Sequence, residues 1–271
     1  MTRIRLLSSL LGGLALAACS KDGVQNISGP TAGSYVKFYN FGVNAPSVNF
    51  FANDAKVTAI SSTSCTPPAV PPIPACGTTG IESTTGTAYG SLGNAGLYMT
   101  LAPGQYQFSG RISAATDNGL SVAKVSGTLA DGKFYSVYMS GFYDTNAKTV
   151  DGFILEDDFP AQIDFTTTSV RFVNAISNSS PMTLWAKNTT TGDSLAIGSA
   201  IAYKAGGAFV TMPGAVYDLS VRAPGSNTVL FNRTGVSFVA GRVYTVSARG
   251  DMTVTSTTAT NRPFLDNTLN R

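Results

Sequence analysis

The feature that most constrains this chain is an internal duplication, in which four blocks of sequence recur in the same order. Residues 36–40 (VKFYN) match residues 170–174 (VRFVN), and a proline-containing loop follows each. The other matching pairs are 47–52 with 182–186, 96–108 with 207–219, and 129–141 with 238–250. A repeated block order indicates a repeated structural unit, so the sequence predicts two homologous domains.

The blocks have the pattern of β-strands, because apolar and polar residues alternate with a period of two. Three sets of apolar residues are expected to face a core: Tyr135, Val137 and Met139; Tyr217, Leu219 and Val221; and Tyr244, Val246 and Ala248. Pro103-Gly104 and Pro213-Gly214 lie between strands and suit type II turns. Short strands with frequent turn signals predict an all-β chain, with two tandem Ig-like antiparallel β-sandwich domains.

The first nineteen residues have the layout of a secretory signal. Arg3 and Arg5 precede an apolar run over residues 6–18, which is too short to span a bilayer. Residues 16–19 (LAAC) resemble the lipobox of bacterial lipoproteins, which implies that Cys19 is the lipidated first residue of the mature chain. Ser20 in place of Asp points to the outer membrane. The alternative is an ordinary signal peptide with a chance cysteine.

The other two cysteines, Cys65 and Cys76, flank a proline-rich stretch. An exported protein lies in a compartment where disulfides form, so the sequence predicts a Cys65–Cys76 disulfide bracing a surface loop. A metal pair is the alternative, but the spacing is not C-x₂-C and further ligands are missing.

The expected organisation follows from these features. It is a signal peptide (1–18), a flexible tether (19–34), a first domain (35–158) with the disulfide-bearing insert at about 60–86, a linker (159–168), a second domain (169–255) and a polar tail (256–271).

The opening V-[KR]-F-x-N, the central P-G and the closing A-x-G-x-x-Y-x-V resemble the domain of unknown function 4397. That family comprises exported bacterial β-domains, often in tandem and often on lipoproteins. The closing motif spans residues 130–137 and, one residue shorter, 240–246. The family has no assigned activity, so the resemblance implies a fold and carries over no functional residue.

The composition excludes several kinds of chemistry. The chain has no histidine, which removes Ser-His-Asp triads and His-ligated metals. Glu156, Asp157 and Asp158 form the obvious acidic cluster, interpreted as a solvated charge run with a calcium site as the alternative. No glycine-rich loop opens a helix, so a nucleotide cradle is not expected. The chain is therefore expected to be non-enzymatic and without cofactors or metal.

Two further motifs have competing interpretations. Arg249-Gly250-Asp251 spells an integrin-binding tripeptide, but a turn also explains its glycine.

Aromatic residues concentrate in the first unit, and Tyr39 and Tyr138 are expected on the face opposite the core. There they either stack on sugar rings or lie in the interface between the domains. The single tryptophan, Trp185, is expected in a sandwich core.

The sequence thus predicts a lipid-anchored cell-envelope protein that acts in binding, adhesion or structural spacing. Its partners are the membrane, through lipid on Cys19, and a glycan or envelope protein. The alternative is a carbohydrate-binding accessory lipoprotein of an outer-membrane uptake or degradation system, and a weaker alternative is a histidine-independent hydrolase. Without Arg3 and Arg5, the 18 basic residues fall to 16 against 15 acidic ones. A nucleic-acid partner is therefore not expected.

Overall fold

The computed structural model describes residues 32–58, 60–62, 80–82, 85–160 and 162–271. The predicted signal peptide, the lipidation site Cys19 and both Cys65 and Cys76 lie outside these residues, so the lipid anchor and the disulfide stay predictions. No helix in the described part of the chain is long and apolar enough to cross a membrane.

The described residues form strands and one short 3₁₀ helix, Gly93–Gly96. The strands are β1 (Ser34–Val43), β2 (Val48–Ala52), β3 (Ala55–Lys56), β4 (Ile60–Ser62), β5 (Gly80–Glu82), β6 (Ser91–Leu92), β7 (Met99–Leu101), β8 (Gly104–Ile112), β9 (Ser121–Leu129), β10 (Phe134–Asp144), β11 (Thr149–Glu156), β12 (Thr167–Asn174), β13 (Met182–Asn188), β14 (Ser194–Ile201), β15 (Ala205–Gly206), β16 (Val210–Pro213), β17 (Ala215–Arg222), β18 (Val229–Phe238), β19 (Val243–Arg249) and β20 (Phe264–Leu269). The all-β prediction is confirmed.

The first copy is a two-layer sandwich. One sheet has the order β11-β10-β1-β6, with β7 also paired to β1, and the other has the order β3-β2-β8-β9. Its core contains Val36 and Phe38 of β1, Phe50 of β2 and Phe108 of β8. Tyr135, Val137 and Met139 lie in this core, as predicted.

The second copy repeats this arrangement, with sheets β15-β12-β19-β20 (and β16 on β12) and β14-β13-β17-β18. The predicted core residues of β17 and β19 all lie inside it. One boundary needs correction, because residues 256–271 are not a separate polar tail. They contain β20, which pairs with β19 as β11 pairs with β10. The second sandwich therefore extends to Leu269.

The sheets are not purely antiparallel, which differs from the expectation. In the first copy β1 runs parallel to β10, from Tyr35 opposite Phe134 to Val43 opposite Phe142. In the second copy β12 runs parallel to β19. The opening and closing motifs of each copy are thus neighbours in space, and the long connection between them allows the parallel direction. The Ig-like relationship stays a prediction.

The asparagine of each opening motif holds the loop that follows its strand. Asn40 Nδ2 donates to the carbonyl oxygens of Pro46 and Thr87, and Asn40 Oδ1 accepts from the Gly42 N–H. Asn174 likewise donates to Ile201 O and accepts from the Ile176 N–H. Buried loops need such partners for their backbone groups, so this motif position stabilises the fold.

The motif tyrosines bond back to the chain that precedes them. The hydroxyls of Tyr106 and Tyr217 donate to carbonyl oxygens four residues upstream, at 2.9 and 2.8 Å. The hydroxyls of Tyr135 and Tyr244 accept backbone N–H groups five residues upstream, at 3.0 and 3.2 Å. Such corners fix the entry of a chain into its strand. The shared motif residues are therefore accounted for by the fold.

The type II turn prediction for the P-G pairs is not supported. Gly104 has φ +152°, beyond the value near +80° that a type II turn requires. At Gly214 a Cβ atom would lie 2.7 Å from the Ala240 nitrogen, so close backbone approach explains the glycine there.

Candidate functional site

The predicted surface aromatics Tyr39 and Tyr138 lie in a buried seam between the two copies, which belong to one compact unit, Ala32–Arg271. Both side chains have 0% exposure. Their rings stack at 4.3 Å between centroids, and Tyr138 also stacks on Phe153 at 4.7 Å. Because neither ring presents a face to solvent, the sugar-stacking interpretation is corrected in favour of the interface. We call this region, built on β1, β10 and β11 against β12 and β19, the seam.

The seam joins large side chains to small ones. Tyr39, Phe41, Tyr138 and Phe153 of the first copy pack with Val173 and Ala175 of the second. At the strand positions equivalent to Tyr39, Phe41 and Tyr138 the second copy has Val173, Ala175 and Ser247. The Ser140 hydroxyl donates to Ala175 O at 2.7 Å. The excess of aromatic residues in the first unit therefore has a structural cause, because the large rings fill the space left by the small side chains of the second copy.

Two basic residues cross the seam from matching positions. Lys37 of β1 donates to Leu269 O at 2.9 Å and to Asn270 Oδ1 at 3.2 Å, at the end of β20. Arg171 of β12 donates to Glu156 O at 3.0 Å and to the Asp157 carboxylate, at the end of β11. Each copy thus binds the last strand of the other with the basic residue of its V-[KR]-F-x-N motif.

Lys37, Arg171 and Asp157 form a charged cluster in the seam, in which Asp157 is the acidic residue. Its carboxylate also accepts hydrogen bonds from the Tyr98 hydroxyl at 2.5 Å and the Ser136 hydroxyl at 2.7 Å. Asp157 is 2% exposed, so the interpretation of residues 156–158 as a wholly solvated run is wrong at this position. Lys37 and Arg171 each lie between apolar residues on an alternating strand. This pattern was the available sequence signal for a buried acidic partner, because a buried cation needs a counter-charge.

Burial is the largest influence on the pKa values of Lys37 and Tyr98 in this cluster. It lowers the pKa of the Lys37 ammonium from 10.5 to about 8; Asp157 opposes that shift and Arg171 adds to it. Burial also raises the pKa of the Tyr98 phenol, and the Asp157 carboxylate raises it further. Two cations thus share one carboxylate, and Lys37 is the group whose charge is least stabilised.

Arg249 and Asp251 of the Arg249-Gly250-Asp251 tripeptide are engaged in contacts with neighbouring residues. Arg249 Nε pairs with Asp266 of β20 at 2.5 Å, and the Asp251 carboxylate accepts hydrogen bonds from Thr253 and Asn178. A Cβ atom at Gly250 would lie 2.2 Å from Arg262 O. Close packing therefore requires this glycine.

The open faces of the outer sheets carry a feature that sequence reasoning missed. On the β3-β2-β8-β9 sheet, the Arg111 guanidinium lies over the Phe51 ring, 4.2 Å from its centroid. On the β14-β13-β17-β18 sheet, the Arg222 guanidinium lies over the Trp185 ring at 4.9 Å. In both contacts an arginine of the neighbouring strand lies over an outward-facing aromatic ring. The quadrupole of the ring attracts the cation and stabilises this arrangement.

The two pairs occupy equivalent positions. Phe51 lies opposite Ser109 and Trp185 opposite Ser220, and each arginine follows two residues later on its strand. Trp185 is half-buried on this face and does not belong to the second core, so its predicted core position is wrong. The sequence signal for this pair of surfaces was the alignment of residues 50–52 (FFA) with residues 184–186 (LWA). Strand alternation places the middle residue, Phe51 or Trp185, on the outward face.

A groove of about 540 Å³ adjoins the first pair, and its lining includes Asn49, Phe51, Lys56 and Arg111. A second groove of about 550 Å³ lies further along the same strands. It is lined by Asn53, Gln105, Tyr106, Gln107, Ser126, Gly127 and Thr128. Amides, hydroxyls and cations therefore dominate this face. In the part of the chain that the structure describes, no group of three His, Cys, Asp or Glu residues is placed to hold a metal.

No family model matches the chain, and no curated protein matches it. Similar solved structures include the Bacillus anthracis TIE protein, with a TM-score of 0.23 and 8% identity over 81% of this chain and 34% of that chain. They also include the human-specific toxin intermedilysin, with a TM-score of 0.24 and 9% identity over 67% of this chain and 33% of that chain. The chain spans about a third of the length of each, and likenesses at this level identify no activity.

Proposed function

We propose that this chain is a lipid-anchored cell-envelope protein whose two β-sandwich copies act together as one non-catalytic binding module. The observation that carries the proposal is the pair of matching aromatic–arginine surfaces, Phe51 with Arg111 and Trp185 with Arg222, held on one compact unit. Aromatic and arginine side chains are enriched at binding surfaces, and all four of these residues are partly exposed. The buried seam supports this role, because it keeps the two surfaces in a fixed relation.

The anchor rests on the lipobox-like residues 16–19. Two or more acyl chains at one cysteine hold a protein stably on a bilayer, at about 0.8 kcal/mol for each buried CH₂. The lipid would leave the sandwiches at the membrane surface, joined to it by the residues that precede β1. Ser20 supports placement in the outer membrane.

Metabolic labelling with an alkyne fatty acid tests the anchor. The wild-type chain is expected to carry the label and to accumulate as a larger precursor under globomycin. Cys19→Ala should lose the label, whereas the matched variants Cys65→Ala and Cys76→Ala should keep it. Normal processing under the drug, without label on the wild-type chain, would overturn the anchor and leave an ordinary signal peptide.

A carbohydrate-binding accessory role is the second candidate. The polar grooves beside Phe51 and along β8 and β9 favour it, because an aromatic ring among amide and hydroxyl groups suits sugar recognition. It replaces the earlier expectation that Tyr39 and Tyr138 form the platform.

A further inference from the structure

We infer that the groove beside Phe51 and Arg111 binds an acidic polysaccharide, a chain of sugars that carry carboxylates. The inference rests on the binding role proposed above and names its ligand class. It places the ligand on the open β3-β2-β8-β9 face and its carboxylate at Arg111.

The Arg111 guanidinium gives the groove a cation for an anionic ligand. Among the described residues that line the groove, none is acidic. Arg111 pairs with Asp54 at 2.7 Å, but the Asp54 side chain is 97% exposed. An exposed ion pair contributes little free energy, so a ligand carboxylate can take the place of Asp54. The planar arginine fork suits a carboxylate, with which it forms two parallel hydrogen bonds.

An unpaired acceptor in the same groove points to hydroxyl groups on the ligand. Asn49 is 5% exposed and its Oδ1 atom has no hydrogen-bond partner. A buried acceptor without a donor is destabilising, so a ligand that supplies a donor gains affinity. Sugar hydroxyls donate hydrogen bonds, whereas carboxylates and fully ionised phosphates only accept them. The ligand therefore combines an anionic group with hydroxyls, as a uronic acid does.

The half-buried Phe51 ring and the Arg111 guanidinium that lies over it together give a contact surface for a sugar ring. Along β8 the outward side chains continue with Gln107 and Gln105, opposite Ser126 and Thr128 of β9. At about 3.4 Å for each residue, the stretch from Arg111 to Gln105 covers about 20 Å. An extended polysaccharide thus has polar partners along the whole face.

The second copy repeats the site with Trp185 and Arg222. The two outer sheets lie on opposite sides of the seam, so their open faces point away from each other and each aromatic–arginine pair is a separate binding face.

Calorimetric titration of the full-length protein in detergent, with polygalacturonate and alginate as probes, tests the inference. We expect binding to at least one of them, and a loss of about tenfold or more on full methyl esterification, which removes the charge and keeps the sugars. Arg111→Gln and Phe51→Leu should each weaken binding about tenfold, and Arg111→Gln with Arg222→Gln more than either alone.

Lys133→Gln is the matched control, because Lys133 is also a partly exposed cation in an ion pair and lies on the turn before β10, outside the lining of the groove. It should change affinity by less than about twofold. Polyphosphate, which lacks hydroxyl donors, should bind more weakly than polygalacturonate.

Three outcomes would overturn the inference: no binding of either uronate, equal losses in Arg111→Gln and Lys133→Gln, or polyphosphate binding as tight as polygalacturonate. Fatty-acid labelling of Cys19 together with absent uronate binding would remove this ligand class and leave the anchored module standing. Uronate binding without labelling would remove the anchor alone.

Discussion

Lys37 and Arg171 occupy the same motif position in the two copies, yet their surroundings differ. Arg171 donates directly to the Asp157 carboxylate, whereas Lys37 donates to the neutral oxygens of Leu269 and Asn270 and interacts with Asp157 only at longer range. A buried charge without a counter-charge is destabilising, and a broken buried ion pair is more so. The two residues should therefore respond differently to the same substitution.

Lys37→Met is expected to leave the free energy of unfolding at pH 7 unchanged or higher, because the loss of a donor to Leu269 O only partly offsets the removed charge. Arg171→Met should lower it by about 3–5 kcal/mol, because Asp157 is left buried without a cation. Urea unfolding at fixed pH measures both. Equal losses in the two variants would show that Lys37 is as well paired as Arg171.

The pH dependence gives a second test of Lys37. Its pKa is about 8 in the folded protein and 10.5 ordinarily, so between these values the unfolded chain binds more protons and stability rises with pH. The destabilisation from Lys37 is complete below pH 8 and amounts to roughly 3 kcal/mol. The advantage of Lys37→Met should therefore shrink as pH rises from 8 towards 10, measured as the difference from wild type. A difference that is constant across this range contradicts the assignment.

At this scale the sequence predicts the core well and the charged seam poorly. Alternation placed Tyr135, Val137 and Met139 correctly, because one strand face decides their burial. It also placed Tyr39 opposite the core. It left open what covers that face, since the covering residues lie more than a hundred positions away: Val173 on β12 of another sheet, and Ala175 just after that strand.

At the scale of elements, β20 shows the limit of local patterns. Phe264–Leu269 follows a stretch rich in Ser, Thr and Asn and has weak strand character, so the sequence predicted a tail. Its strand conformation comes from pairing with β19 and from Leu265, which is 1% exposed in the second core. The duplication held the missing information, because β11 has no other counterpart in the second copy.

Leu265→Ala is expected to lower the free energy of unfolding by about 2–5 kcal/mol, because it leaves a cavity in the second core. Leu269→Ala is the matched control, since Leu269 lies on the same strand and is 46% exposed. It should cost less than about 0.5 kcal/mol. Denaturant unfolding followed by Trp185 fluorescence gives both values. If the two variants lose equal stability, β20 does not contribute a core residue.

At the scale of the whole molecule, the seam couples the two sandwiches. The large rings of one copy and the small side chains of the other complement each other, and the charged cluster binds both terminal strands. We therefore expect the wild-type protein to unfold in a single cooperative transition, although it contains two repeated units.

Tyr138→Asp should separate that transition into two, because it removes the central ring of the seam and buries a charge. Phe142→Asp is the matched control on the same strand, where the side chain is 43% exposed. The chain has one tryptophan, Trp185, so its fluorescence reports the second copy while circular dichroism reports both. Coincident transitions at the wild-type midpoint in Tyr138→Asp would show that the seam does not couple the copies.

The position of β1 has a mechanical consequence. The chain enters the described structure through this strand, which lies between β10 on one side and β6 and β7 on the other. A pull from the residues before Gly33 acts along the strand, across the direction of its hydrogen bonds. All those bonds then resist together, and they do not open one after another from an end. A tether attached there would thus hold the protein by a strand that is hydrogen-bonded to neighbours on both sides.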